Sequence, residues 1–344
     1  MRASTREMYP ACSRSRCSIR NAVAVLTPID ERDAMSLLSS YGLGDLRALE
    51  GVAGGSVNSN FALELPERRL FLRLYEEQDF HGAIRETAML DRLSRRGVPT
   101  PAPLSRLDGG KVSEVRGKPA ALFPWRNGRM RCQAGVTERD ASTIGESLAR
   151  VHVAGAGEEA HPGRFRFEDL IVRLDRIEAS GDARFAPMVP RFRGLIARVR
   201  SDRDLEIPRG LTHGDLFRDN VLWDDSGAIA ALLDFESASE GSYAFDLMVT
   251  VLSWCVGDDF DRNLARALCD GYESVRPMSA REKGALRAEG MFAALRFTIT
   301  RITDYAMRKG GDGPRVVKDW RRFMKRFERL DELGRDGVLE LLGR

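Results

Sequence analysis

No apolar run in this 344-residue chain approaches eighteen residues, so no membrane-spanning helix is expected. Neither sign of charge is in excess. The 54 Lys and Arg stand against 51 Asp and Glu, a net charge of +3, which gives no global field for nucleic acid or a membrane surface. Lysine is scarce beside arginine, which we read as a compositional habit, not a phosphate-binding stripe. The five cysteines (Cys12, Cys17, Cys132, Cys255 and Cys269) are odd in number and scattered. Only Cys12 and Cys17 are close, and no second pair completes a zinc-binding spacing. Reduced thiols in a cytoplasmic protein follow. A Gly-Lys-Ser/Thr loop is missing too, which excludes a Walker-type phosphate site.

What is present is a soluble, globular composition with 43% apolar and 31% charged residues, enough chain for a bilobal unit. Residues 1–22 are rich in Arg and Ser and read as a disordered tail or an overlong start. A helix is expected over 28–41, with Asp30 or Pro28 near its start, Met35, Leu37 and Leu38 on its apolar face, and Gly42 past its end. Two alternating runs, Asn60 to Leu65 and Leu70 to Tyr75, flank a Pro-bearing turn and predict a hairpin. A helix then presents Ile84, Ala88, Leu90 and Leu93, ending at Gly97. After a Pro-rich connector and one further strand, the chain turns to helices from about residue 127. We therefore expect an α+β fold with an N-terminal antiparallel sheet lobe (23–124) and a mainly helical C-terminal lobe (125–344).

One stretch breaks the helical run. "LTHGDLFRDNVLW" (211–223) gathers His213, Asp215, Arg218, Asp219 and Asn220 between apolar flanks, and "LLDFE" (232–236) follows. Phosphoryl transfer from ATP needs a carboxylate to orient the acceptor hydroxyl and oxygen ligands for Mg²⁺. A tight loop with Asp215 and Asn220 five apart aims both at one spot. The turn Asp225-Ser226-Gly227 closes a hairpin that brings Asn220 to Asp234, at the end of the second strand. Asp and Asn capping turns between packed strands would explain a lone His-x-Asp. They do not explain all three polar groups in register.

"HGDLFRDN" followed by "LLDFE" resembles the catalytic loop and metal-binding segment of the aminoglycoside phosphotransferase and choline kinase superfamily, distant relatives of protein kinases. The resemblance implies a protein-kinase-like bilobal fold with ATP and Mg²⁺ as cofactors. It makes Asp215 the catalytic base, Asn220 and Asp234 the Mg²⁺ ligands, and His213 the residue that holds the loop in shape. His-Gly-Asp stands where protein kinases have His-Arg-Asp. Upstream, "GVAGGSVNSNFAL" resembles the loop over the phosphates, with Gly54, Gly55 and Ser56 approaching phosphate oxygens. Arg73 occupies the strand position where relatives often carry Lys, and Glu86 that of its acidic partner. An Arg reaches phosphate through a planar fork instead of a point charge.

Longer segments, from about Val23 to about Leu330, resemble the homoserine kinases of this superfamily. That resemblance implies γ-phosphate transfer to the hydroxyl of a small amino-bearing alcohol, L-homoserine first. The alternatives are an aminoglycoside, choline/ethanolamine or other amino-alcohol kinase, or a non-catalytic nucleotide-binding kinase-like protein. Glu236 could pair with a substrate ammonium or serve as a helix-start carboxylate. Asp246 is expected to buttress the catalytic loop, with His152 and Trp254 as packing residues. In the last helix Trp320, Phe323, Met324, Phe327 and Leu330 form an apolar face, leaving Arg321, Arg322, Lys325, Arg326 and Arg329 largely outside it. A small-molecule substrate, no nucleic acid or membrane, and a monomer or homodimer complete the expectation.

Overall fold

The structure, a computed structural model, describes residues 25–52, 57–158, 160–307 and 318–344. The expected tail 1–22 and the loop residues Gly54, Gly55 and Ser56 lie outside the described residues.

Helix α1 (Glu31–Ser40) starts where Asp30 accepts a hydrogen bond from the Asp33 amide while the Asp33 carboxylate accepts from that of Asp30. Each satisfies an otherwise orphan backbone donor. Strands β1 (Ala48–Gly51), β2 (Ser59–Glu64) and β3 (Arg69–Leu74) precede α2 (Phe80–Arg95), and β4 (Ser113–Val115) and β5 (Lys118–Pro124) follow it. They form one antiparallel sheet in the order β1-β2-β3-β5-β4. The two-residue period of β3 divides its side chains. Leu70, Leu72 and Leu74 join Leu37, Leu38, Phe61 and Leu63 in a core under α1. Phe71 and Tyr75 pack with the core that includes α2 and the helical lobe.

Two apolar faces differ from expectation. Met35 and Ile84 are exposed, while Ala34 is buried in α1 and Ala83, Glu86 and Thr87 are buried in α2. In α2 the face turns because Glu86 has partners inside, which makes burying its carboxylate tolerable.

The helical lobe runs through α3 (Glu138–Ala154), α4 (Phe167–Ala179) and α5 (Val189–Asp202) to β6 (Arg209–Thr212). The hairpin of β7 (Val221–Trp223) and β8 (Ile229–Leu232) follows, then β9 (Ser239–Ser242), which pairs antiparallel with β6. Helices α6 (Tyr243–Trp254), α7 (Arg262–Val275), α8 (Ala280–Arg301) and α9 (Arg321–Leu342) complete it. Glycine decides how closely α3 and α7 cross. A Cβ on Gly145 would lie 1.9 Å from the Leu268 carbonyl oxygen, and one on Gly271 2.1 Å from that of Ser142. Helix α8 ends in a π turn (Ile302–Ala306). Along α9 Phe323, Met324, Phe327 and Leu330 of the expected apolar face are buried, with Trp320 half-buried just before the helix, but Arg326 is buried with them at 8% exposure, which corrects its expected placement outside. Among the described residues no helix is long and apolar enough to cross a membrane.

Candidate active site

The loop after β6 is pinned from beneath. Asp246, in the first turn of α6 and fully buried, accepts hydrogen bonds from the amides of His213 (2.6 Å) and Gly214 (2.8 Å). Gly214 has φ +73°, and a Cβ there would press to 2.9 Å from the Ser237 carbonyl oxygen, so the turn requires glycine. The His213 ring is fixed at both nitrogens. Its Nδ1 lies 3.3 Å from the Asp215 amide, and its Nε2 3.0 Å from the Leu233 carbonyl oxygen. That geometry assigns the proton to Nε2 and ties the loop to the segment leading into Asp234.

The second support of Asp246 is His152, expected only to pack. Its Nε2 lies 2.9 Å from the Asp246 carboxylate, and its Nδ1 2.7 Å from the Tyr272 hydroxyl. Burial lowers the pKa of His152, with Asp246 opposing. A neutral ring that donates from Nε2 and accepts from Tyr272 satisfies every partner. Trp254 is core, as expected, but its indole also donates to the Leu216 carbonyl at 2.9 Å, holding the residue after Asp215.

On this base the polar residues converge. Asn220 donates from Nδ2 to the Asp215 carbonyl oxygen at 2.8 Å and stands 3.5 Å from its carboxylate. The Leu233 amide donates to the Asn220 carbonyl oxygen at 2.9 Å, so Asn220 and Asp234 are brought together by the β7–β8 hairpin. Asp234 adopts a left-handed conformation, φ 62°, a strain that non-glycine residues rarely carry. Its Oδ1 is buried with no hydrogen-bond partner. A buried carboxylate oxygen held this way fits a cation ligand. Among the described residues no group of three or more His, Cys, Asp and Glu could hold a metal by itself. Mg²⁺ commonly takes one or two protein oxygens and completes its shell with phosphate and water, and Asn220 with Asp234 fit that sparse requirement.

Facing them from the sheet, Arg73 lies 3.4 Å from both Glu86 and Glu236. Burial works against its charge, while Glu236, Glu86 and Asp234 raise its pKa. Glu86 is further held by Gln78 at 2.8 Å and by the Tyr75 hydroxyl at 3.3 Å. Asn58 hydrogen-bonds Glu236, so Glu236 bridges the helical lobe to β2 and β3. Its pKa is pushed up to about 7 by burial, with Arg73 opposing and Asp234 and Glu86 adding to the rise.

Arg296 of α8 was not among the expected residues. It is 3% exposed, stacks on Phe297 and Phe165, and places NH1 3.4 Å from the Asp215 carboxylate. The available signal was an arginine inside the apolar run "MFAALRFTIT". A cleft of about 260 Å³ opens beside it, bounded by Phe165, Thr212, Gly214, Ser237 and Arg203.

A carboxylate held on a rigid loop, and beside it an orphan carboxylate oxygen facing a clamped arginine, form an arrangement able to orient a hydroxyl against a metal-bound phosphate chain. On a two-lobed frame of this kind they define a kinase-like phosphotransferase acting on small molecules. The comparisons with known proteins agree. The model of the Phosphotransferase enzyme family matches residues 48–278, and the chain belongs to that family. A homoserine kinase of Caulobacter vibrioides (strain NA1000 / CB15N) is 35% identical over 313 residues, covering 84% of this chain and 92% of that protein. One from Methylobacillus flagellatus is 31% identical, covering 84% and 90%. Among solved structures, spectinomycin phosphotransferase in complex with ADP and spectinomycin superposes with a TM-score of 0.63 at 15% identity. That match covers 92% of this chain and 98% of that one. The chain is thus a small-molecule kinase with the protein-kinase-like fold.

Proposed function

We propose that the chain transfers the γ-phosphate of ATP, with Mg²⁺, to the side-chain hydroxyl of L-homoserine. The observation that carries the acceptor is the likeness to homoserine kinases over 84% of the chain at 31% to 35% identity. The convergence of Asp215, Asn220 and Asp234 supports the chemistry.

In this reading Asp215 accepts the hydroxyl proton and sets the oxygen on line with the phosphorus. Asn220, its side-chain nitrogen turned to Asp215, offers its side-chain Oδ1, and Asp234 its unbonded Oδ1, to Mg²⁺. The bound ion supplies charge neutralisation on the phosphate oxygens. Arg73, held between Glu86 and Glu236, presents its planar fork to the phosphates. Gly54, Gly55 and Ser56 carry, in the same reading, a role in phosphate binding. Glu236, taken up by Arg73 and Asn58, serves the nucleotide side of the cleft instead of a substrate ammonium. His213 and Asp246 position Asp215 without touching substrate. Arg296 restrains the Asp215 carboxylate and lends positive charge next to the reacting oxygen.

The test is ADP release from Mg-ATP with L-homoserine, L-serine, L-threonine, choline, ethanolamine and kanamycin. Selective turnover of homoserine is expected, lost by roughly a hundredfold or more in Asp215→Asn. Preference for another acceptor overturns the homoserine assignment, and an Asp215→Asn protein with normal turnover overturns the base.

A further inference from the structure

Arginines near Asp215 fall into two sets. Those around the 260 Å³ cleft are committed. Arg203 pairs with Glu289 at 2.8 Å, Arg200 with Glu168 at 3.2 Å, Arg209 with Glu240 at 3.5 Å, and Arg296 reaches Asp215. The second set is Arg218 in the catalytic loop, Arg301 at the end of α8, and Arg322 and Arg326 one turn apart on α9. Among the described residues none of these four has a carboxylate within ion-pair distance; Arg218 donates only to neutral acceptors, Gln133 and the Ser253 carbonyl, and Arg301 to the Asp319 carbonyl at 2.9 Å.

The burial makes this costly. Arg326 is 8% exposed, and its Nε has no hydrogen-bond partner. Like charges four residues apart on a helix repel, and a buried cation without a counter-charge is unfavourable. Burial, followed by Arg301, Arg322 and Arg218, lowers the pKa of Arg326 to about 9. Arg301 is likewise lowered to about 10 by burial and Arg322, with Asp215 and Asp219 opposing from beyond ion-pair distance. Aromatic stacking fixes the geometry. Arg301 and Arg326 lie over the same ring, Phe323, at 4.4 and 4.3 Å. Phe323 packs on Phe297 at 4.8 Å and on Phe217 at 6.0 Å, and Phe217 is two residues past Asp215. Two guanidinium groups over one ring, which itself packs on Phe217 of the catalytic loop, form a frame for a planar anion.

We propose that Arg301 and Arg326, with Arg322 and Arg218 around them, bind the carboxylate of the acceptor and so select an amino acid over an amino alcohol. This rests on the homoserine reading for the identity of the acceptor. The anion supplies the counter-charge that no described carboxylate provides, and the same contact sets the distance from carboxylate to hydroxyl.

The experiment compares L-homoserine with 3-aminopropan-1-ol, which lacks the carboxylate, in the wild type, Arg326→Gln, Arg326→Lys and the exposed Arg322→Gln. All are checked for an unchanged circular dichroism spectrum. The ratio of kcat/KM for homoserine over aminopropanol is expected to fall by roughly tenfold or more in Arg326→Gln. A smaller fall is expected in Arg326→Lys, and the KM for ATP should hold. Equal losses on both acceptors, or a loss confined to the KM for ATP, would overturn the proposal. Should Arg326→Gln fail to fold, Arg322→Gln is expected to lower the same ratio, and its failure to do so overturns the proposal. A separate arm measures thermal stabilisation of the full chain, loaded with Mg and a non-hydrolysable ATP analogue, by 4-hydroxybutyrate. If the wild type ignores homoserine yet 4-hydroxybutyrate stabilises it and not Arg326→Gln, the acceptor reading falls and the anion site stands. If the wild type neither uses homoserine nor responds to 4-hydroxybutyrate, both fall.

Discussion

Replacing Asp246 with Asn removes one charge and almost no volume, and it isolates how the catalytic loop is held. The carboxylate takes three donors: the His213 amide at 2.6 Å and His152 Nε2 at 2.9 Å on one oxygen, and the Gly214 amide at 2.8 Å on the other. Asparagine has a single carbonyl oxygen. Placed at the first position it keeps two donors and turns its NH2 group against the Gly214 N–H. Placed at the second it keeps one donor and confronts two. Either way at least one buried donor loses its acceptor, and the survivors lose the charge that strengthened them. A hydrogen bond to a charged group is worth about 1.5–3 kcal/mol, so Asp246→Asn should cost about 2–5 kcal/mol of stability. The site is wholly buried, so solvent screening does not reduce this. The loop would shift to relieve the donor–donor contact, carrying Asp215 with it, and a displacement near 1 Å costs on the order of a hundredfold in rate. Urea unfolding measures the first quantity, and ADP release at saturating acceptor measures the second. The KM for ATP, whose binding residues we propose on the sheet side, should change far less than kcat. A variant within about 0.5 kcal/mol of the wild type, with kcat intact, would refute the account of Asp246 as the loop's anchor.

His152 contributes a pH dependence whose sign follows from its environment. Its pKa is lowered by burial from 6.5, so the unfolded chain binds the proton more readily and stability falls as pH drops through about 6.5. Chemical denaturation at pH 7.5 and 5.5 should show this loss, and His152→Gln should be measurably flatter over the same interval; an equal slope in both would contradict the neutral-ring assignment. Arg73→Ala leaves Glu86 and Glu236 facing each other without their shared cation. A destabilisation of about 3 kcal/mol is expected from breaking a buried pair, together with a raised KM for ATP, with Arg73→Lys recovering part of both. Unchanged nucleotide KM in Arg73→Ala would remove Arg73 from the phosphate site.

The sequence alone determined the parts of this protein that depend on local periodicity and on spacing along one strand or loop. The hairpin of β2 and β3 followed from two-residue alternation around a turn. The gathering of Asp215, Asn220 and Asp234 followed because a short hairpin leaves few ways to arrange its ends. Tertiary structure decided what depends on partners distant in the chain. Glu86 is buried because Arg73, thirteen residues away on another element, meets it, and no helical period could rank it above Ile84. His152 looked like packing because Asp246 is 94 residues further on. Arg326 looked solvated because helix periodicity places charge outside by default, and only the approach of α8, with Arg301 on the same phenylalanine, turned it inward. Position within an element is written locally, whereas the burial of a charge is settled by which neighbour arrives to meet it.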